Sequence, residues 1–174
     1  MVDLRAKQGF TVYQTNLRSD MGADGRYWID GGMPKGAEDL PNVAFYRQEL
    51  DRRMAYVADA GLVNALGQAW AFSIRGDHGV EHQKHLARYL VARYGAYPMV
   101  WTLAGEVAGY GKEDRAALID GWREVALEIE ARDGYGHLAT AHYTNERPFA
   151  DYYQDEAWMD FTLNQAGHGD YLIK

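Results

Sequence analysis

The sequence predicts an α/β fold built on parallel strands, and three observations predict it. β-rich apolar runs alternate with helical patterns that close on glycine, as right-handed βαβ crossovers require. One of those runs, Met99 to Ala104 (MVWTLA), is almost unbroken in its apolar residues, as expected of a strand covered on both faces. Polar or aromatic groups gather at the carboxyl end of every run. Two architectures share the first two features: an open doubly wound sheet, complete at five strands, and a (β/α)8 barrel, which needs roughly 250 residues. An open sheet concentrates its ligand groups at one switch point, whereas contributions from every strand end are barrel-like. The expectation is therefore an incomplete (β/α)8 TIM barrel of about five parallel strands, a single partial domain over residues 1–174.

The elements follow in order. Asp3 to Gln8 reads as the tail of a helix ended by Gly9, and Phe10 to Asn16 (FTVYQTN) as the first strand. From Met21 to Asn42 the composition turns to Gly, Asp and Pro, which is loop chemistry of unusual length, and long ordered loops are often functional. Tyr46, Leu50, Met54 and Val57 then form a helical stripe with Asn42 near its cap and Gly61 past its end. Leu62 to Trp70 is the second strand. His82 to Tyr94 is the next helix, with Leu86 and Leu90 on one face and Gly95 as its stop, and Pro98 forbids continuation. After the Met99 to Ala104 strand, Leu118, Trp122, Val125 and Ile129 mark a helix from about Glu113 to Arg132, with Gly134 beyond it. Leu138 to Thr144 and Met159 to Gln165 supply two further strands.

Composition narrows the function. The 174 residues are 47% hydrophobic and 25% charged, which excludes disorder and leaves room for a core. Lys plus Arg number 18 against 25 Asp plus Glu, a formal charge of -7 that repels nucleic acid at long range. The absence of cysteine removes disulfides, thiolate zinc sites and cysteine nucleophiles. No apolar run approaches the roughly 20 residues that span a bilayer, so a soluble chain with no membrane partner is expected. The start, with Asp3, Arg5 and Lys7, reads as no export signal, and the sequence leaves localisation and oligomeric state open.

The strand ends offer Gln14 and Asn16, Gln68 and Trp70, Glu106, His142 and Asn145, then Asn164, Gln165 and His168. In parallel α/β folds that edge is the active-site face. The plain alternative is that strand ends are polar because the chain must leave the core there. Glu106 is the sharpest position, because a carboxylate directly after an apolar strand (WTLAGE) sits partly desolvated at the mouth of the fold. Desolvation favours the protonated carboxyl, and a proton held near neutral pH is what a general acid gives to a leaving-group oxygen. Gly105 beside it allows close backbone approach. Sugar rings stack on aromatic faces while amides and imidazoles bind hydroxyls, so Trp28, Trp70 and Phe72 are candidate platforms. Trp101 and Trp122 lie on apolar faces and read as core, as does the Arg88, Tyr89, Arg93, Tyr94 series.

The succession RAKQGFTVYQTN, ELDRRMAYVADAGL, HLARYLVARYGAYPMVWTLAGE and WMDFTLNQAGH resembles the apiosidase-like glycoside hydrolases, a family of (β/α)8 barrels that includes domains of unknown function and collagen-binding assignments. The resemblance implies strands two to six of the barrel, cleavage of a glycosidic bond in a plant or microbial polysaccharide side chain, and a periplasmic or secreted parent. It also implies that Glu106 is the fourth-strand general acid/base and that Gln165 and His168 line the sugar pocket. Gln14, Asn16, Trp70, His142 and Asn145 are the further substrate-binding candidates, and no cofactor or metal is expected. In related retaining enzymes the nucleophile follows strand seven, which this chain is not expected to contain. Asp160 and Glu146 are weak substitutes, the first early in its strand and the second in a loop before Arg147 and Pro148. A non-catalytic carbohydrate-binding barrel fragment is therefore the first alternative.

A second alternative comes from His78-Gly79-Val80-Glu81-His82, which fits H-x-x-E-H, the inverted zinc-peptidase signature of a zinc hydrolase. Those histidines must share a helix, whereas Gly76, Asp77 and Gly79 place His78 in a loop or at a helix start. Only Glu106 or His142 stand out as a distant third ligand. The Gly105 to Lys112 stretch (GEVAGYGK) is glycine-rich, but Glu113 follows its lysine where a phosphate loop needs a hydroxyl.

Overall fold

Residues 1–17, 41–75, 79–109, 114–143 and 152–163 are described in a computed structural model. The chain enters as α1 (Val2–Lys7), and Gly9, at φ +82°, turns it into strand β1 (Val12–Asn16). Asn42 caps α2 (Val43–Phe45) by accepting the Phe45 N–H at 3.1 Å, and a π-helical turn (Tyr46–Leu50) carries the helix on into α3 (Asp51–Asp59). Strands β2 (Val63–Gly67) and β3 (Ala69–Trp70) follow, then a short 3₁₀ turn (Ala71–Ile74) and α4 (Gly79–Tyr94). Strands β4 (Met99–Trp101) and β5 (Ala104–Gly105) precede α5 (Arg115–Arg132).

Among the described residues all paired strands are parallel, so the α/β reading stands, but the barrel does not. Among the described residues β1, β2 and β4 form a three-stranded sheet in that order, while β3 and β5 form a separate two-stranded sheet in which Trp70 faces Gly105. The expected (β/α)8 TIM barrel is overturned by these two small sheets. Both long apolar runs break at matching places. The Gln68 N–H donates to the Leu103 carbonyl at 2.7 Å between the two sheets, and Leu103 takes φ +57°, a conformation in which an ordinary ladder cannot continue. Among the described residues the strands expected at Leu138 to Thr144 and Met159 to Gln165 contribute only isolated parallel bridges, Trp101 with Ala139 and His142 with Leu163. Polar strand ends therefore reported the carboxyl edge of parallel strands, a property that open and closed arrangements share.

The core lies between the sheets and helices α4 and α5. Leu86, Leu90 and Tyr94 of α4 pack with Leu118, Trp122, Val125 and Ile129 of α5, the stripes that helical spacing predicts. Burying each of these aliphatic side chains contributes roughly 1.5–3 kcal/mol. Trp101 and Trp122 are core, and each has its indole N–H satisfied, by Asp133 at 3.0 Å and by the Ala71 carbonyl at 2.9 Å. A fork of Arg93 onto Asp51 (2.7 and 2.6 Å), joined by Tyr94 Oη at 2.9 Å, ties α4 to α3. Among the described residues no helix is long and apolar enough to cross a membrane.

Candidate functional site

The carboxyl ends of β3 and β5 meet as a pair, because Trp70 and Gly105 are register partners. Only a glycine allows this meeting: a Cβ on Gly105 would lie 2.5 Å from Trp70 Cε3 and 2.7 Å from Cζ3. The half-buried indole therefore rests directly on the backbone that leads into Glu106.

Glu106 follows at once. It is 6% exposed, and its Oε2 is enclosed with no hydrogen-bond partner among the described residues. Buried carboxylate oxygens are normally satisfied, so an unsatisfied one is held at a cost in folding stability. Its backbone sits in the left-handed region at φ +55°. The Glu106 N–H donates to His142 Nδ1 at 3.2 Å, which brings His142 to the same point from 36 residues away. Burial pushes the His142 imidazole below the ordinary histidine range, and the neighbouring Glu106 charge offsets part of that push. At neutral pH the ring is uncharged.

Asn16 reaches the strand ends differently. Its Nδ2 donates to the Ala69 carbonyl at 2.8 Å, crossing over Gly67, where a Cβ would lie 2.8 Å from that same nitrogen. The amide thus closes the gap between the sheets one residue before Trp70. Gln14 is exposed on β1, opposite Ala65, and is not drawn into this group by any described contact. A cavity of about 700 Å³ between β1 and α3 is lined in part by Asn16 and Thr15, but not by Trp70 or Glu106. Phe72 is a wall rather than an open platform, with the Arg75 guanidinium 4.1 Å from its ring centre. Asn145, Gln165, His168 and Trp28 lie outside the described residues, as do Asn164 and Glu146.

Two sequence candidates are committed elsewhere. Asp160 Oδ2 accepts the Ala139 N–H at 2.7 Å, at the opposite end of that segment from His142. Glu81 is exposed on α4 and pairs with Lys84 at 3.0 Å, while His82 stands in the same helix and His78 lies outside the described residues. Among the described residues no group of three or more His, Cys, Asp or Glu could hold a metal ion.

Thr102, buried at the carboxyl end of β4, escaped the sequence reading. Its Oγ1 lies 3.2 Å from where a Gly67 Cβ would stand, beside the Asn16 amide. A polar residue inside an otherwise apolar strand was the available signal. Chemically, the assembled pieces are a buried acid, an aromatic face and a neutral imidazole, which suits proton transfer beside a hydroxyl-rich ligand.

The sequence matches the family described as apiosidase-like, catalytic domain, over residues 1–173. No curated protein matches the chain. Among solved structures it is similar to a protein from Bacteroides vulgatus ATCC 8482 described provisionally as a glycoside hydrolase, at 22% identity and a TM-score of 0.51. The match covers 67% of this chain and 22% of that one, so the chain spans about a fifth of the length of that protein.

Proposed function

We propose, from the premise that this chain belongs to the apiosidase-like glycoside hydrolase family, that it contributes the proton donor for cleavage of a glycosidic bond in a plant or microbial polysaccharide side chain. Glu106 is that donor. The observation that carries the reading is the enclosed Oε2 of Glu106, left without a partner among the described residues, one position after the Gly105 backbone on which Trp70 rests. An oxygen in that state suits an incoming ligand better than a structural role, since a structural carboxylate would be expected to find donors. Trp70 offers a face for sugar C–H groups, and Asn145, Gln165 and His168 remain the proposed hydroxyl-binding groups.

The chemistry assigned to Glu106 is transfer of its proton to the departing glycosidic oxygen as the C–O bond breaks. A second carboxyl group must either attack the sugar, at roughly 5–5.5 Å from the first, or activate water, at roughly 6.5–9.5 Å. Asp160 does not suit that role, because its Oδ2 already holds the Ala139 N–H. This supports a second reading, a non-catalytic carbohydrate-binding domain, in which the same strand-end residues hold sugar without turnover.

Aryl-glycoside hydrolysis and sugar binding by calorimetry separate the two. Under the first reading Glu106→Gln lowers kcat by at least about 100-fold, in line with general acid catalysis, while sugar affinity stays within a few-fold. Unchanged turnover in Glu106→Gln removes Glu106 as donor. Binding without turnover in the unsubstituted chain selects the second reading.

A further inference from the structure

Glu106 holds a long side chain on a backbone at φ +55°, where a Cβ-bearing residue is strained. Such strain persists only where neighbours enforce it. Three hydrogen bonds do so here. The Glu106 N–H donates to His142 Nδ1 at 3.2 Å, the Val107 N–H donates to the His142 carbonyl at 3.0 Å, and the Gly109 N–H donates to the Glu106 carbonyl at 2.7 Å. The first two both end on His142, which therefore grips both peptide N–H groups that flank the Glu106 Cα and carbonyl.

The first bond also determines a tautomer. A backbone N–H can only donate, so Nδ1 must present a lone pair, and the proton of the neutral ring then sits on Nε2. Adding a second proton at Nδ1 would set a donor against a donor and break the grip.

We propose that His142 is a positioning residue for Glu106: a neutral, Nε2-protonated imidazole that clamps the strained Glu106 backbone and so aims its carboxyl group. The expectation that His142 binds sugar through either ring nitrogen narrows accordingly, because Nδ1 is occupied and only the Nε2–H is available to other groups. The clamp serves catalysis only if Glu106 is the proton donor, so this inference rests on that reading. The tautomer itself does not.

Long-range ¹H–¹⁵N correlation spectra of the labelled chain test the tautomer directly, with the His142 ring signals assigned by their loss in His142→Asn. At pH 7.5 the pattern of a ring protonated on Nε2 alone is expected. A ring protonated on Nδ1, singly or doubly, overturns the proposal whether or not the protein turns over any sugar. The kinetic arm uses acceptor rescue. His142→Asn can keep an oxygen acceptor near the Nδ1 position and is expected to hold kcat within about 3-fold, whereas His142→Leu loses roughly 10- to 100-fold in kcat with little change in KM, as displacement of a catalytic group does. Equal kcat in the two variants, whether high or low, overturns the clamp. Full activity in Glu106→Gln would instead sink the proton-donor reading and leave the tautomer result standing.

Discussion

At Glu106 the proposed proton-donor role sets two demands in conflict, because such a residue must be buried enough to be shielded from water and yet keep an oxygen free. Its neighbours meet both demands with backbone and ring rather than with polar side chains. Gly105 is central, since any side chain there would meet the Trp70 ring at 2.5 Å. Gly105→Ala must push the indole off the strand, so a loss of about 1–3 kcal/mol is expected, the usual range for overpacking. Denaturant unfolding measures that loss, and the tryptophan emission of the folded variant should shift red as Trp70 turns toward water. An unshifted spectrum with unchanged stability would show that Trp70 does not rest on Gly105. The buried place of Glu106 at a strand end could be read from WTLAGE, because an acid after an apolar run announces a strand end. The role of His142 could not. Residue type reveals an imidazole, but not that a peptide 36 positions earlier donates to its Nδ1.

Helices were the most legible elements, since a 3.6-residue stripe reports burial directly and the stripes of α4 and α5 are the ones that face the core. Strands were less so. Met99 to Ala104 reads as one run, yet Leu103 at φ +57° divides it, and nothing in a leucine announces that turn; its carbonyl accepts the Gln68 N–H between the two sheets. Between elements, a short two-point polar tie is the Asp51 fork from Arg93, which holds the Asp51 carboxyl below the usual carboxylate range; burial opposes this in part, and the Tyr94 hydroxyl adds to it. Asp51→Asn halves the fork and weakens the Tyr94 bond, so a loss of about 1–3 kcal/mol is expected by thermal unfolding. Arg53→Ala is the control. Its pair with Glu49, one turn apart on the surface, has both partners at least half exposed and should change stability by no more than about 0.5 kcal/mol. Equal effects from the two variants would show that the Asp51 fork holds no elements together.

For the whole molecule, closure was what the sequence could not report, because Asn16, Trp70, Glu106 and His142 mark a carboxyl edge equally in two small sheets and in a barrel. What the assembled chain does impose is a pH window. His142 is held below its ordinary value of 6.5, mainly by burial, so between that value and the lower folded one the unfolded chain binds more protons and stability falls as pH falls. Asp51 is held below 3.8, mainly by Arg93. At Asp133 burial acts in the opposite sense, but hydrogen bonds from Trp101, Tyr135 and His137 outweigh it, and that carboxyl also lies below 3.8. Both carboxylates add a second loss as pH drops through their folded values. On the alkaline side Tyr94, Tyr143 and Tyr153 are all pushed above 10.0, chiefly by burial, so the unfolded chain gives up protons first and stability falls from about pH 10 upward. Melting temperature should therefore be flat from about pH 7 to 9, decline in one step as pH passes below 6.5, and decline again below 4. His142→Asn should flatten the first acid step and leave the second in place. A wild-type melting temperature that stays constant from pH 7 to 5 would show that the His142 ring is not held neutral by its burial against Glu106.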